Sequence, residues 1–128
     1  MNRAFRTRTF TRWMRKAGLT DEVLRHAISE RAQGLVDANL GGHVVKKRVS
    51  VPGQGKRGGA RTIVATKFAG RWFFLYGFSK NERVNIDKDE LKIFQEMAKE
   101  LLAFDDQHLA VALAAGEIVQ VCNDNDQT

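Results

Sequence analysis

The chain has 128 residues, 43 % of them apolar, and a single Pro, which is enough to bury a core and reads most simply as one domain. No apolar run approaches the length of a membrane span, and the one Cys excludes an internal disulfide, which is compatible with a reducing cytoplasm. The net charge of +6 hides an asymmetry: residues 1–83 hold 18 Lys/Arg against 5 Asp/Glu (+13), and residues 84–128 hold 3 against 10 (−7). A basic body of this kind points to a polyanionic partner, with nucleic acid first in line.

Met1 to Leu19 is Arg-rich and free of acid, as transit peptides are, but it lacks their Ser/Ala richness and runs straight into a helix start. It reads as a first strand and helix. Phe5 to Arg8 suggests a short edge strand, and Phe10, Trp13, Met14 and Ala17 have the spacing of a helix that ends at Gly18. Thr20 is a good N-cap, with Asp21 and Glu22 on the first turn. Val23, Leu24, Ala27, Ile28 and Leu35 form the apolar stripe of a second helix that stops near Gly34. Asp37 to Gly42 reads as a connection.

Val44 to Val51 alternates, so that Val45, Lys47, Val49 and Val51 point one way and Val44, Lys46, Arg48 and Ser50 the other. Pro52 closes this strand. Next comes Gly55-Lys56-Arg57-Gly58-Gly59-Ala60-Arg61, which packs three cations among three glycines and is expected to be a loop. Glycines let a backbone approach a polyanion closely while guanidinium and ammonium groups converge on it. Arg61 to Lys67 is β-branched, Phe68-Ala69-Gly70 makes a turn, and Arg71 to Phe78 is apolar on both faces, as a central strand is. Strict alternation puts Trp72, Phe74, Tyr76 and Phe78 on one face, joined by Lys80 if the strand runs that far.

Asp87 and Glu90 have capping-box spacing ahead of a helix carrying Leu91, Phe94, Met97, Ala98, Leu101 and Leu102. Asp105 caps a second short helix with Leu109 and Leu113, ending at Gly116. Glu117 to Val121 reads as a last strand and Asn123 to Thr128 as a frayed tail, so one domain is expected over residues 1–122. The predicted class is α+β. A curved antiparallel sheet, built as a three-stranded central meander plus edge strands, is packed by N-terminal and C-terminal helices. Those helices are expected to cover one face and leave part of the other for a ligand.

Several patterns weigh against other chemistries. Glu82 is the sole carboxylate among residues 38–86, which argues against a carboxylate-held metal. No Cys/His spacing suggests zinc, and no phosphate-loop or dinucleotide fingerprint is present. No metal and no small-molecule cofactor are expected. His43, beside the basic strand, is a minor candidate for a general base, while His26 and His108 read as structural.

The strand Val45 to Val51, the stretch Gly53-Gln54-Gly55-Lys56-Arg57-Gly58-Gly59-Ala60-Arg61 and the run Trp72-Phe73-Phe74-Leu75-Tyr76-Gly77-Phe78-Ser79-Lys80-Asn81-Glu82 together resemble the RelE/HigB-like toxins of bacterial type II toxin–antitoxin systems. The resemblance is good over roughly residues 40–102 and looser in the N-terminal helices. It implies a microbial ribonuclease-like fold and cleavage of mRNA in the ribosomal A site. It also implies a cytoplasmic location in a bacterium and neutralisation by a cognate antitoxin, a DNA-binding helix-turn-helix protein. In the family, basic residues of the central sheet and its loops serve as catalytic groups. Carried over, the catalytic candidates are Arg61, Lys80, Lys56 and Tyr76, and the RNA-binding candidates are Lys46, Arg48, Arg57, Arg71 and Phe78. Related members often place a Tyr two residues before the Lys-Asn-Glu. Phe78 stands there in this chain, so a required phenol falls to Tyr76.

In such a reaction the ribose 2′-hydroxyl attacks the adjacent phosphorus, a cyclic phosphate forms and the 5′-oxygen leaves. Fixed cations aimed at the non-bridging oxygens lower the barrier. Arg61 is suited to a bidentate fork and Lys56 and Lys80 to point charges. Proton transfer falls to Lys46, Lys56 or Lys80, and Trp72, Tyr76 or Phe78 can stack on a splayed base. Two rivals stand beside this reading: a gyrase poison of the related ParE type without RNA cleavage, and a non-catalytic RNA- or ribosome-binding module.

Overall fold

The computed structural model describes residues 3–32, 38–51, 55–67 and 70–121, and for residues 30–32 and 55–58 the backbone alone. The expected helix stop at Gly34, the Phe68-Ala69 part of the turn and the C-terminal tail lie outside the described residues. Among those described, six strands and four helices follow in the order β1 (Arg3–Thr7), α1 (Arg8–Ala17), α2 (Asp21–Ala32), β2 (Ala38–Gly41), β3 (Val44–Val51), β4 (Gly55–Lys67), β5 (Arg71–Ser79), α3 (Lys88–Leu102), α4 (Asp106–Ala114) and β6 (Ile118–Gln120). The protein is α+β, with the predicted antiparallel meander β3–β4–β5 inside a six-stranded sheet of order β2-β3-β4-β5-β1-β6.

Local chemistry sets the helix ends. Thr7 caps α1 by accepting from Phe10 N, and Gly18 closes it in the left-handed region at φ 75°. The predicted capping box forms as well: the Asp87 carboxylate accepts from Glu90 N, and Glu90 accepts in return from Asp87 N. Asp105 caps α4 through His108 N.

Several expectations need correction. β1 is an inner strand, parallel to β5 on one side and antiparallel to β6 on the other. Its Phe5 is wholly buried and stacks on Phe73 with ring centroids 5.2 Å apart, which an edge position would not provide. Ala38–Gly41, read as a connection, is the edge strand β2, paired with β3 around a tight turn in which Gly41, Gly42 and His43 all have positive φ. The Gly-rich basic stretch is the start of β4 rather than a loop. Val51 opposes Gly55 while Val49 opposes Ala60, so the extra residues are taken up as an irregularity within the paired strand.

The helices cover both sheet faces, not one. On the first face α1 and α2 bury Phe10, Met14, Leu24 and Ile28 against Val45, Val49, Val64, Trp72 and Phe74. On the second, α3 and α4 bury Phe94, Ala98, Leu109 and Ala112 against Phe5, Val44, Ile63, Phe73 and Leu75. β5 carries aromatic side chains on both sides, and each side needs its own cover.

A bulge in β5 decides which residues reach the second face. Ile63 opposes Tyr76 but Val64 opposes Phe74, so Leu75 is an extra residue. One extra residue inverts the alternation beyond it. Trp72 and Phe74 therefore pack with α1 and α2, whereas Tyr76 and Phe78 belong to the α3 side. The four aromatics predicted to share a face are divided two and two. Gly77 turns to the first face, directly under the Trp13 ring.

Candidate functional site

On the α3 side, cross-strand neighbours of β3, β4 and β5 line up in rows. The first is Val44–Ala65–Phe73, the second Lys46–Ile63–Tyr76 and the third Arg48–Arg61–Phe78. The first row is fully buried. In the third, Arg48 is exposed, Arg61 is half-buried, and Phe78 is 2 % exposed.

Directly opposed residues of an antiparallel pair have Cα atoms about 4.5–5.5 Å apart, and like charges there disfavour the sheet. Arg48 and Arg61 hold such positions. Arg61 Nη1 is moreover buried without a hydrogen-bond partner. A buried donor with no acceptor costs about 1–3 kcal/mol, more when charged. The pairing of β3 with β4 thus sets two arginines opposite each other, one of them with an unmet buried donor. Lys46 lies in the adjoining row, beside Ile63 and Tyr76.

Lys47 goes the other way. It is buried on the α1/α2 side among Ala27, Ile28, Val45 and Trp72, where sheet alternation puts it. The strand pattern thus separates Lys46 and Arg48 from Lys47 as predicted.

The remaining candidates are distributed unevenly. β5 ends at Ser79, so Lys80 does not extend it. Lys80 is an exposed residue of a turn in which the Ser79 carbonyl accepts from Glu82 N and Arg83 N. Ser79 opposes Ala60, so the Lys80 backbone lies at the Arg61 end of the sheet. Lys56 and Arg57 are in the first part of β4, also at that end, with backbone alone described. Arg71 is seven residues from Phe78 along β5, about 20 Å at strand rise. There it donates to the Phe104 carbonyl and, at 2.8 Å, to Asp106 Oδ1, holding the start of α4. The structure does not bring Arg71 to the row. His43 is also remote, at the β2–β3 turn, where it lines an open groove of about 540 Å³ with Lys67, Gln95 and Lys99. Among the described residues no three His, Cys, Asp or Glu side chains gather as a metal-ligand set.

A further group adjoins the row that the spacing of residues did not reveal as a site. Arg83 forms a two-pronged ion pair with Glu90, and its Nη1 also donates to Tyr76 Oη at 3.3 Å. Its guanidinium lies 5.8 Å from the Phe78 ring centroid. Only half of this had a sequence signal, the capping box that contains Glu90. The hydrogen bond from Arg83, helped by that from Asp87 N, pulls the Glu90 carboxyl from its ordinary 4.5 down to about 2, and Arg83 is raised in turn. Since the folded-state value of Glu90 is the lower one, its contribution to stability is complete above about pH 4.5 and is lost as pH falls toward 2. Urea midpoints of the wild type should therefore fall more steeply across that window than those of Glu90→Gln, whose midpoint is already lower at pH 7.

Fold and row together define an α+β protein with Lys46, Arg48 and Arg61 on one face of its sheet. A comparison with protein families gives that class its identity: the family described as RelE toxin of the RelE / RelB toxin-antitoxin system matches residues 2–121. The chain belongs to the RelE toxin family, and a cognate antitoxin follows as its partner. No curated protein matches it. Among the described residues no helix is long and apolar enough to cross a membrane.

Proposed function

We propose that this toxin is an endoribonuclease that cleaves mRNA in the ribosomal A site. The observation that supports it most is the buried, partnerless Nη1 of Arg61 directly across from Arg48. A toxin that acted only by gripping a protein has no need for an unmet cationic donor at this end of its sheet.

In this reading the scissile phosphate sits over the third row. Arg61 and Arg48 hold the non-bridging oxygens, where charge accumulates as the 2′-oxygen bonds to phosphorus. Lys46, Lys56 and Lys80 are the groups at this end that can take the 2′-hydroxyl proton and return one to the departing 5′-oxygen. Tyr76 adds a phenol from the second row. Phe78, almost fully buried beside Arg61, packs within the sheet rather than serving as an open stacking surface. Arg57 meets the flanking backbone. The ribosome delivers the strand already oriented, which reduces what the enzyme itself supplies. The antitoxin, a helix-turn-helix DNA-binding protein, neutralises the toxin by covering this face, and both work in the bacterial cytoplasm.

Induced expression followed by mapping of mRNA 5′ ends, with a supercoiling assay alongside, tests the proposal. Cuts in phase with codons are expected. Intact mRNA with gyrase-linked DNA breaks would overturn it, as would RNA binding without any cleavage.

A further inference from the structure

Arg83 spends its hydrogen-bonding capacity within the protein. Nε donates to the Asn85 carbonyl at 3.0 Å, Nη1 to Glu90 Oε2 at 2.8 Å and to Tyr76 Oη at 3.3 Å, and Nη2 to Glu90 Oε1. Glu90 is fixed in turn, because Oε1 accepts from Asp87 N at 2.9 Å in the capping box of α3. The brace therefore joins the first turn of α3 to the far end of β5. Such an arginine, neutralised by a carboxylate, has little left to offer a phosphate. What it can do is fix the groups it touches, namely the Tyr76 phenol and the Phe78 ring.

The consequence for Tyr76 is chemical. A phenol has one O–H to donate and lone pairs to accept with. With Arg83 donating to the oxygen, the O–H is the part left for another partner. The Tyr76 ring is held from behind by Phe94, at 5.4 Å between centroids. Tyr76 stands in the second row, one row from Arg61.

We infer that Arg83, braced by Glu90, is a positioning residue that fixes Tyr76 as a hydrogen-bond donor toward the anion held by Arg48 and Arg61. This rests on the nuclease reading for its catalytic consequence, but the brace itself is testable without it.

Tyr76 is the one tyrosine of the chain, so the tyrosine Fermi doublet of the Raman spectrum reports on it alone. The intensity ratio of that doublet is high when the phenol oxygen accepts a strong hydrogen bond and low when the O–H only donates. With a bond of 3.3 Å to the oxygen and the O–H left to donate, the wild type is expected to give an intermediate ratio, above that of Arg83→Met. Arg83→Met lowers it, Arg83→Lys restores part of it, and Glu90→Gln lowers it from the other side of the brace even if Arg83→Met folds poorly. In cleavage assays, Arg83→Met and Tyr76→Phe each lower kcat by roughly 10-fold with KM little changed, and the double variant is no worse than either alone, because the two act as one unit. A ratio unchanged in both Arg83→Met and Glu90→Gln overturns the inference, and so do kcat losses that multiply in the double variant. A wild type with the Raman signature but no cleavage would remove the nuclease reading and leave the brace in place.

Discussion

Arg61→Ala is expected to lower RNA cleavage by roughly 100- to 1,000-fold in kcat, the usual loss when one donor aimed at developing charge is removed. Growth arrest on induction should disappear with it. The melting temperature should stay unchanged or rise. Most substitutions of half-buried residues destabilise, but Arg61 carries a buried Nη1 with no partner and faces Arg48 across the β3–β4 pair. Removing it ends an unmet desolvation and a like-charge contact together. A variant that loses activity while keeping or gaining stability marks a residue retained for a ligand. If thermal unfolding drops by many degrees, Arg61 is part of the scaffold and the assignment of its role is wrong.

Gly77→Ala is expected to produce the largest loss of stability from a single methyl group, about 3 kcal/mol, at the upper end of the range for overpacking. For a chain of this size that corresponds to a fall of roughly 10 °C in Tm. A Cβ at Gly77 would run into the six-membered ring of Trp13. The ring has little room to give, since it packs on Phe10 at 5.4 Å between centroids and α1 is fixed at its start by the Thr7 cap. The effect should also reach the site. Gly77 lies between Tyr76 and Phe78, so any shift of β5 displaces both. Trp13→Ala is destabilising by itself, yet combining it with Gly77→Ala should cost clearly less than the sum, because the same collision cannot be removed twice. Thermal melts of the three variants check this, and strict additivity would contradict it.

Much of this architecture was legible in the residues, for reasons that also explain the exceptions. The Val44–Val51 strand showed itself by alternation, and the structure separates Lys46 and Arg48 from Lys47 accordingly. The start of α3 was legible because capping chemistry is local: Asp87 and Glu90 are three residues apart and bond each other. The division of the β5 aromatics was not legible. It depends on Leu75 being an extra residue opposite β4, a property of the pair that β5 alone does not carry. The same holds for the Gly-rich stretch, whose glycines suit a loop but are drawn into β4 by pairing with β3. β1 looked like an edge strand because it is short. Its inner position comes from a parallel partner 68 residues further along the chain. Among the candidate groups, Arg48 and Arg61 become direct cross-strand neighbours when β3 and β4 pair, whereas Arg71, of equal charge, is taken by α4 at the opposite end of β5. Charge alone does not tell these arginines apart. Arg83 was visible as one more cation near Lys80. Only the fold shows it turned inward to Glu90 and Tyr76.

The claim on which the account turns is that an RNA phosphate seats between Arg48 and Arg61, and side-chain guanidinium NMR measures it most directly. Titration with a dinucleotide lacking the attacking 2′-hydroxyl, and therefore uncleavable, should shift the Arg61 Nε–H and Nη resonances strongly while those of Arg71, held by Phe104 and Asp106, stay in place. Saturable binding that moves Arg71 or other surface arginines and leaves Arg61 unperturbed would contradict the account.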